Sequence, residues 1–188
     1  MGKSFSDWLH RVSTGWVALS ALLVFLSFSA LVLPRQASRA EQETGDAASP
    51  DMSFYYSAGD LYDMAEAYGE SGRAAYVRAR FTFDLVWPVV YALFLTTAVS
   101  WIYGRAFPPG SPWRLANLLP LLAALFDYLE NVATSIVMLR YPQPTALIDV
   151  LAPVFTVVKW SLLGLSFVLL FGGLVVALWQ RLRPDDGL

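Results

Sequence analysis

Residues 14–33, TGWVALSALLVFLSFSALVL, decide the fold class, because they are 20 consecutive positions without a charge. That is the length an α-helix needs to cross a hydrocarbon layer about 30 Å thick. Lys3, His10 and Arg11 precede the run, and Pro34 and Arg35 end it, so it reads as a transmembrane helix with polar flanks. A cleaved signal peptide is the competing reading, given the small residues in Ser38-Arg39-Ala40. Its apolar core, however, should be only about 7–15 residues long. The opening Met-Gly-Lys-Ser-Phe-Ser also fits a myristoylation pattern through Gly2 and Ser6, a pattern short enough to arise often by chance.

Three more stretches, at 81–103, 115–139 and 150–179, have the length and apolarity of the first. With 56% hydrophobic residues and a mean hydropathy of +0.49, the 188-residue chain is too apolar for an ordinary soluble domain of its size. The sequence therefore predicts an all-α, polytopic integral membrane protein. Its four transmembrane helices form one bundle, a single membrane domain over residues 1–188. Residues 36–50 are Ala, Ser, Glu, Gln, Gly and Asp in the main, too polar to bury apolar surface, and are expected to be a flexible linker. Ser57 and Asp60 have the spacing of a capping box, and Leu61, Met64, Ala65 and Tyr68 follow at helical intervals. A short amphipathic helix is expected over 58–69, followed by a new helix from about Arg73 that runs directly into the second span.

Four spans put both termini on one side of the membrane. Lys3, Arg11, Arg105, Arg114, Arg181 and Arg183 lie on that side, and Arg35, Arg39, Arg73, Arg78, Arg80 and Arg140 on the other. The first six crowd into short segments next to span ends, whereas five of the second six share one long loop. The positive-inside rule counts charges near span ends, so both termini are expected in the cytoplasm of a multi-pass cell-membrane protein.

Composition removes several chemistries. Without cysteine there are no disulfides, thiolate metal sites or thiol nucleophiles. The single histidine, His10, precedes the first span, which removes His-based triads and HExxH zinc sites from the membrane interior. Basic residues occur singly, so nucleic acid is not an expected partner. No cofactor is expected.

What carries information is the set of ionisable residues inside the spans, since each is costly to bury unpaired. Asp127, Glu130, Asn131 and Thr134 occupy relative positions 0, +3, +4 and +7 of the third span, one face of a helix. In an antiparallel hairpin, facing residues have nearly constant index sums. Arg140 with Asp149 and Glu130 with Lys159 both give 289, so Lys159, the one cation inside any span, is placed at the depth of Glu130. Thr156 and Ser166 share the Lys159 face, and Ser161, Gly164 and Gly172 form a small-residue face suited to close helix approach. In the second span Arg80, Asp84, Trp87, Pro88 and Tyr91 form a stripe, with Arg80 one turn from Asp84. Pro88 also frees the Asp84 carbonyl from its helical hydrogen bond. Asp127 has no second intramembrane cation to pair with, so it is expected to be protonated by desolvation, hydrogen-bonded to Asn131 or Tyr128, or turned toward a cavity.

The expected site is thus an outward-facing polar cavity lined by Asp84, Asp127, Glu130, Asn131, Thr134 and Lys159, supported by Arg80, Tyr91 and Ser166. The carboxylates are hard oxygen ligands of the kind Mg²⁺ and Ca²⁺ prefer, but Lys159 competes for them and no metal is expected. Asp84 and Asp127 are formally the facing aspartates of an intramembrane protease, yet no glycine-rich motif precedes the second. Three functions compete. The first is a non-enzymatic protein binding a lipid or small amphiphile in that cavity. In the second, a scaffold or complex subunit, the charges are structural or face a homo-oligomer or partner membrane subunit. The third is a lipid-modifying enzyme using a desolvated carboxylic acid as proton donor.

Overall fold

The computed structural model of the protein describes residues 2–45 and 48–182; residues 46 and 47 of the expected linker, and Arg183 of the charge count, lie outside them. Among the described residues seven α-helices account for most of the structure: α1 (Gly2–Val12), α2 (Gly15–Leu31), α3 (Leu33–Thr44), α4 (Ala58–Arg80), α5 (Phe83–Ala106), α6 (Leu119–Arg140) and α7 (Ile148–Leu182). Short 3₁₀ turns at Pro50–Met52 and Pro112–Leu118 complete the regular structure. There is no strand among the described residues. Among the described residues four helical stretches are long and apolar enough to cross a membrane: Gly15–Thr44, Ala58–Ala106, Pro112–Arg140 and Ile148–Leu182.

Local chemistry explains the helix ends. Thr14 starts α2 by accepting the Val17 N–H at 3.3 Å. Ser57 and Asp60 form the expected capping box at the start of α4, each side chain accepting the other residue's backbone N–H. The first helical stretch ends at Gly69, as expected, at a kink between two helical stretches. Gly69 sits at φ +63°, where an L side chain is disfavoured, and the helix resumes on the other side. It then stops at Arg80 rather than running straight into the next span, since Thr82 is non-helical and α5 begins at Phe83.

Residues 33–44 correct the expectation of a flexible linker, for they are helical. Polarity says that this segment cannot form a core by itself; it does not say that the backbone is unstructured. Ala, Arg, Gln and Glu are good helix formers, Pro34 sits in the first turn where its missing N–H costs nothing, and Gly45 at φ +67° ends the helix. The helix also has α4 beside it.

Helices α5, α6 and α7 form the centre, with α6 and α7 as an antiparallel hairpin. One apolar core, including Leu95, Val99, Ala123 and Leu170, lies toward α1. A second, including Leu61, Ala65, Val137 and Ala152, lies under α4. Along α6 the first takes Ala123 and Ala124 and the second Ala133, Val137 and Met138, so the polar stripe falls between them. Helix α2 packs on α5 through Ala18 and Ala21 and leaves Leu19, Leu23, Val24 and Leu26 exposed. Helix α7 likewise exposes Val168, Phe171, Val175 and Leu178.

The close approach expected at Gly164 and Gly172 occurs at neither: a Cβ on either would meet nothing within 4 Å. It occurs at Gly173, where a Cβ would overlap the Tyr103 ring of α5 and come within 3.1 Å of Ile102. The Tyr103 hydroxyl donates to the Leu169 carbonyl at 2.8 Å beside it. At this same C-terminal end of α5, α1 is fastened to the bundle. His10 Nδ1 lies 2.8 Å from the Ser100 carbonyl oxygen and its Nε2 3.0 Å from that of Arg114. Carbonyl oxygens only accept, so both contacts are hydrogen bonds only when both ring nitrogens carry a proton. Ser6 donates to Asn117 Oδ1 at 2.8 Å, and Asn117 Nδ2 donates to the Ser100 hydroxyl at 2.9 Å.

Candidate functional site

The polar stripe of α6 meets its partners in a layer between the two cores. Lys159 of α7 forms an ion pair with Glu130 Oε2 and lies 3.6 Å from Asp127 Oδ1. The pairing placed Lys159 correctly from the hairpin arithmetic and adds a second carboxylate to it. Each carboxylate gives its other oxygen to a hydroxyl. Tyr91 of α5 donates to Asp127 Oδ2 at 3.0 Å, and Thr156 of α7 donates to Glu130 Oε1 at 2.7 Å. Neither expected partner serves Asp127: Tyr128 donates to the Leu85 carbonyl at 2.8 Å, and Asn131 has no partner for either side-chain amide atom despite being 3% exposed. Thr134 turns back onto its own helix, donating to the Glu130 carbonyl at 2.9 Å.

A second group lies toward α4. Arg80 reaches Asp84 Oδ2 at 2.9 Å, pairs with Asp51 of the first 3₁₀ turn, and stacks its guanidinium over the Tyr76 ring at 4.5 Å. The layer thus repeats one motif twice: a single cation held between two carboxylates, Asp51–Arg80–Asp84 and Asp127–Lys159–Glu130. Asp84 and Asp127 are not a facing acid pair, for each is bound into its own group. Ser166 is not part of either; it donates to the Leu162 carbonyl at 2.7 Å, two turns along α7 from Lys159.

Asp84, Asp127 and Glu130 are all buried. A cavity of about 440 Å³ lies over the α4 end of the bundle, bounded by Tyr55, Tyr56, Asp60, Asp63, Met64 and Ala67. Tyr56 separates the two places. It is 2% exposed, it borders the cavity, and its hydroxyl lies 3.0 Å from Thr156 Oγ1. Burial pushes the Tyr56 hydroxyl well above the usual tyrosine range, so it stays protonated. Thr156 has one hydroxyl hydrogen; when this goes to Glu130, the Tyr56 hydroxyl is the donor to Thr156.

Two participants, Asp51 and Tyr56, escape a reading based on spans because both belong to the segment before α4. The aromatic pair Tyr55-Tyr56 at the edge of a polar stretch was the available signal. Among the described residues no group of three or more His, Asp or Glu side chains is arranged to hold a metal ion. No protein-family model matches the chain, nor does any curated protein or solved structure.

Proposed function

We propose that the chain is a polytopic membrane protein of four spans with both termini in the cytoplasm, and that it binds a small amphiphile, without catalysing its conversion, at the outward-facing α4 end. The observation that carries this is the 440 Å³ cavity bordered by Tyr55, Tyr56, Asp60, Asp63 and Met64, a volume within the usual range for small-ligand sites, about 300–1,000 Å³. Its mixture of aromatic, thioether and carboxylate groups suits a molecule with an apolar body and a polar head. The intramembrane charges support this cavity from below, since Tyr56 is held by Thr156. A non-enzymatic role accords with the state of the acids: Asp127 and Glu130 each have one oxygen toward Lys159 and the other on a hydroxyl. The exposed apolar faces of α2 and α7 accord with surrounding lipid.

Native mass spectrometry of protein gently extracted from its own membrane tests the proposal. The expected result is a retained amphiphile of defined mass, lost in Tyr55→Ala/Asp63→Ala. Tyr55 is 68% exposed, so its truncation leaves the core intact. A bare wild-type protein, or equal retention by the double variant, overturns the proposal. Reporter fusions at both ends test the orientation.

A further inference from the structure

The inner group, Asp127–Lys159–Glu130, has two carboxylates for one ammonium and almost no solvent. The Lys159 side chain is 6% exposed, that of Asp127 11% and that of Glu130 0%. With all three ionised, the group carries one uncompensated negative charge in a layer closed above and below by apolar cores. An uncompensated charge in such surroundings is among the costliest features a fold can contain. The rest of the layer does not supply the missing positive charge. From α4, Arg80 faces this way, but it is shared between Asp51 and Asp84. Its group therefore repeats the deficit. From α5 come Asp84 and the neutral Tyr91, and from the segment before α4 comes the neutral Tyr56. Tyr76 of α4 adds only another phenol beside Arg80. A metal ion does not fit, because the described carboxylates do not converge as three ligands. A proton does, since it needs only one carboxylate oxygen.

We propose that Asp127, Lys159 and Glu130 together form a proton-binding site, holding one proton beyond that of the ammonium, and that it exchanges with the outer side through Thr156 and Tyr56. The proton belongs to the group rather than to one carboxyl, because the two acids share the same lysine. The path is a chain of hydroxyls: Tyr56 to Thr156 at 3.0 Å, Thr156 to Glu130 Oε1 at 2.7 Å. In a loading event Thr156 gives its hydrogen to Glu130 and takes that of Tyr56, while Tyr56 takes one from a hydronium ion at the cavity side, which leaves as water. Each hydroxyl ends as it began and one proton has moved inward. The transfer is concerted, because a buried Tyr56 does not persist as an anion. Asn131, buried with its amide unpartnered on the same face of α6, provides a polar group not yet committed within this layer. This inference goes beyond the binding proposal and rests on it only for the orientation that makes the α4 end the outer one, which the reporter fusions test separately.

Infrared difference spectroscopy on the full chain in lipid nanodiscs, titrated over about pH 4–9 where carboxyls in unusual surroundings are found, reads the site directly. The expected result is a protonated-carboxyl stretch in the wild type at neutral pH. Asp127→Asn or Glu130→Gln should remove or shift it. Should those variants not fold, isotopic labelling of aspartate or glutamate in the wild type identifies the residue type, and repeating it in Asp84→Asn separates Asp127 from the other buried aspartate. Tyr56→Phe removes the outer hydroxyl while keeping the ring, and should slow the hydrogen–deuterium shift of that band about tenfold or more at an unchanged midpoint. The absence of a protonated-carboxyl band at neutral pH, or a band that neither labelling nor substitution places at Asp127 or Glu130, overturns the site. Wild-type exchange in Tyr56→Phe overturns the path.

Discussion

Replacing Lys159 by Met leaves two buried carboxylates without a cation, whereas replacing Glu130 by Gln leaves Lys159 with Asp127 3.6 Å away and keeps an oxygen for the Thr156 hydroxyl. The two sides of one ion pair should therefore differ in cost. Removing one partner of a buried pair typically costs about 3–5 kcal/mol, and Lys159→Met belongs at the upper end because it strands two acids. Glu130→Gln should cost about 1–3 kcal/mol, in the range of a lost hydrogen bond to a charged group. In the double variant the stranded Glu130 is gone, so part of the Lys159→Met loss returns, giving a coupling on the order of 2 kcal/mol. Reversible unfolding in mixed detergent–denaturant micelles, followed by tryptophan fluorescence, measures all four corners of the cycle. Additive losses, or a Glu130→Gln as damaging as Lys159→Met, would refute the reasoning.

Tyr91→Phe removes the hydroxyl that donates to Asp127 at 3.0 Å and should cost about 1.5–3 kcal/mol in the same unfolding assay. Gly173→Ala drives a methyl group into the Tyr103 ring and should cost about 1–3 kcal/mol, whereas Gly172→Ala, with nothing within 4 Å, should be neutral or slightly stabilising. Equal effects at the two glycines would contradict the α5–α7 packing. Ser57→Ala removes the cap of α4 and should cost about 1 kcal/mol, seen as faster amide exchange confined to the first turn of that helix. His10→Ala releases both carbonyls that clasp α1; amide exchange in Gly2–Val12 should rise while α6 and α7 keep wild-type protection.

The parts of this arrangement legible in the sequence are those that follow from helix geometry. Spacing put Asp127, Glu130, Asn131 and Thr134 on one face, and hairpin symmetry set Lys159 opposite Glu130. The capping box of α4 was equally plain, because its signal lies within four residues. What was not legible depends on distance in the chain or on rotation about a helix axis. Asp51 pairs with Arg80 across a 3₁₀ turn, a polar stretch and a kinked helix, and no local pattern announces that. Hairpin arithmetic fixes depth but not the angle of a side chain, so the sharing of Lys159 with Asp127 stayed hidden. The close approach fell at Gly173 rather than Gly172 for the same reason, as one residue is 100° of helix. Helix α3 was missed because polarity was weighed without helix propensity.

The Lys159–Glu130 contact also bears on how the chain is made. Helix α6 reaches the end of its synthesis with Asp127 and Glu130 unmatched, and helix α7 begins with Lys159 about three turns in. Each charge alone adds about 2.5–3.5 kcal/mol to the insertion of its helix from the translocon. Only residues 141–147 separate the two helices, so under the four-span topology proposed above the lysine would follow the acids closely out of the ribosome. The two segments would then enter the bilayer as one hairpin with the acids already matched, and insertion of α6 alone would be the costlier route.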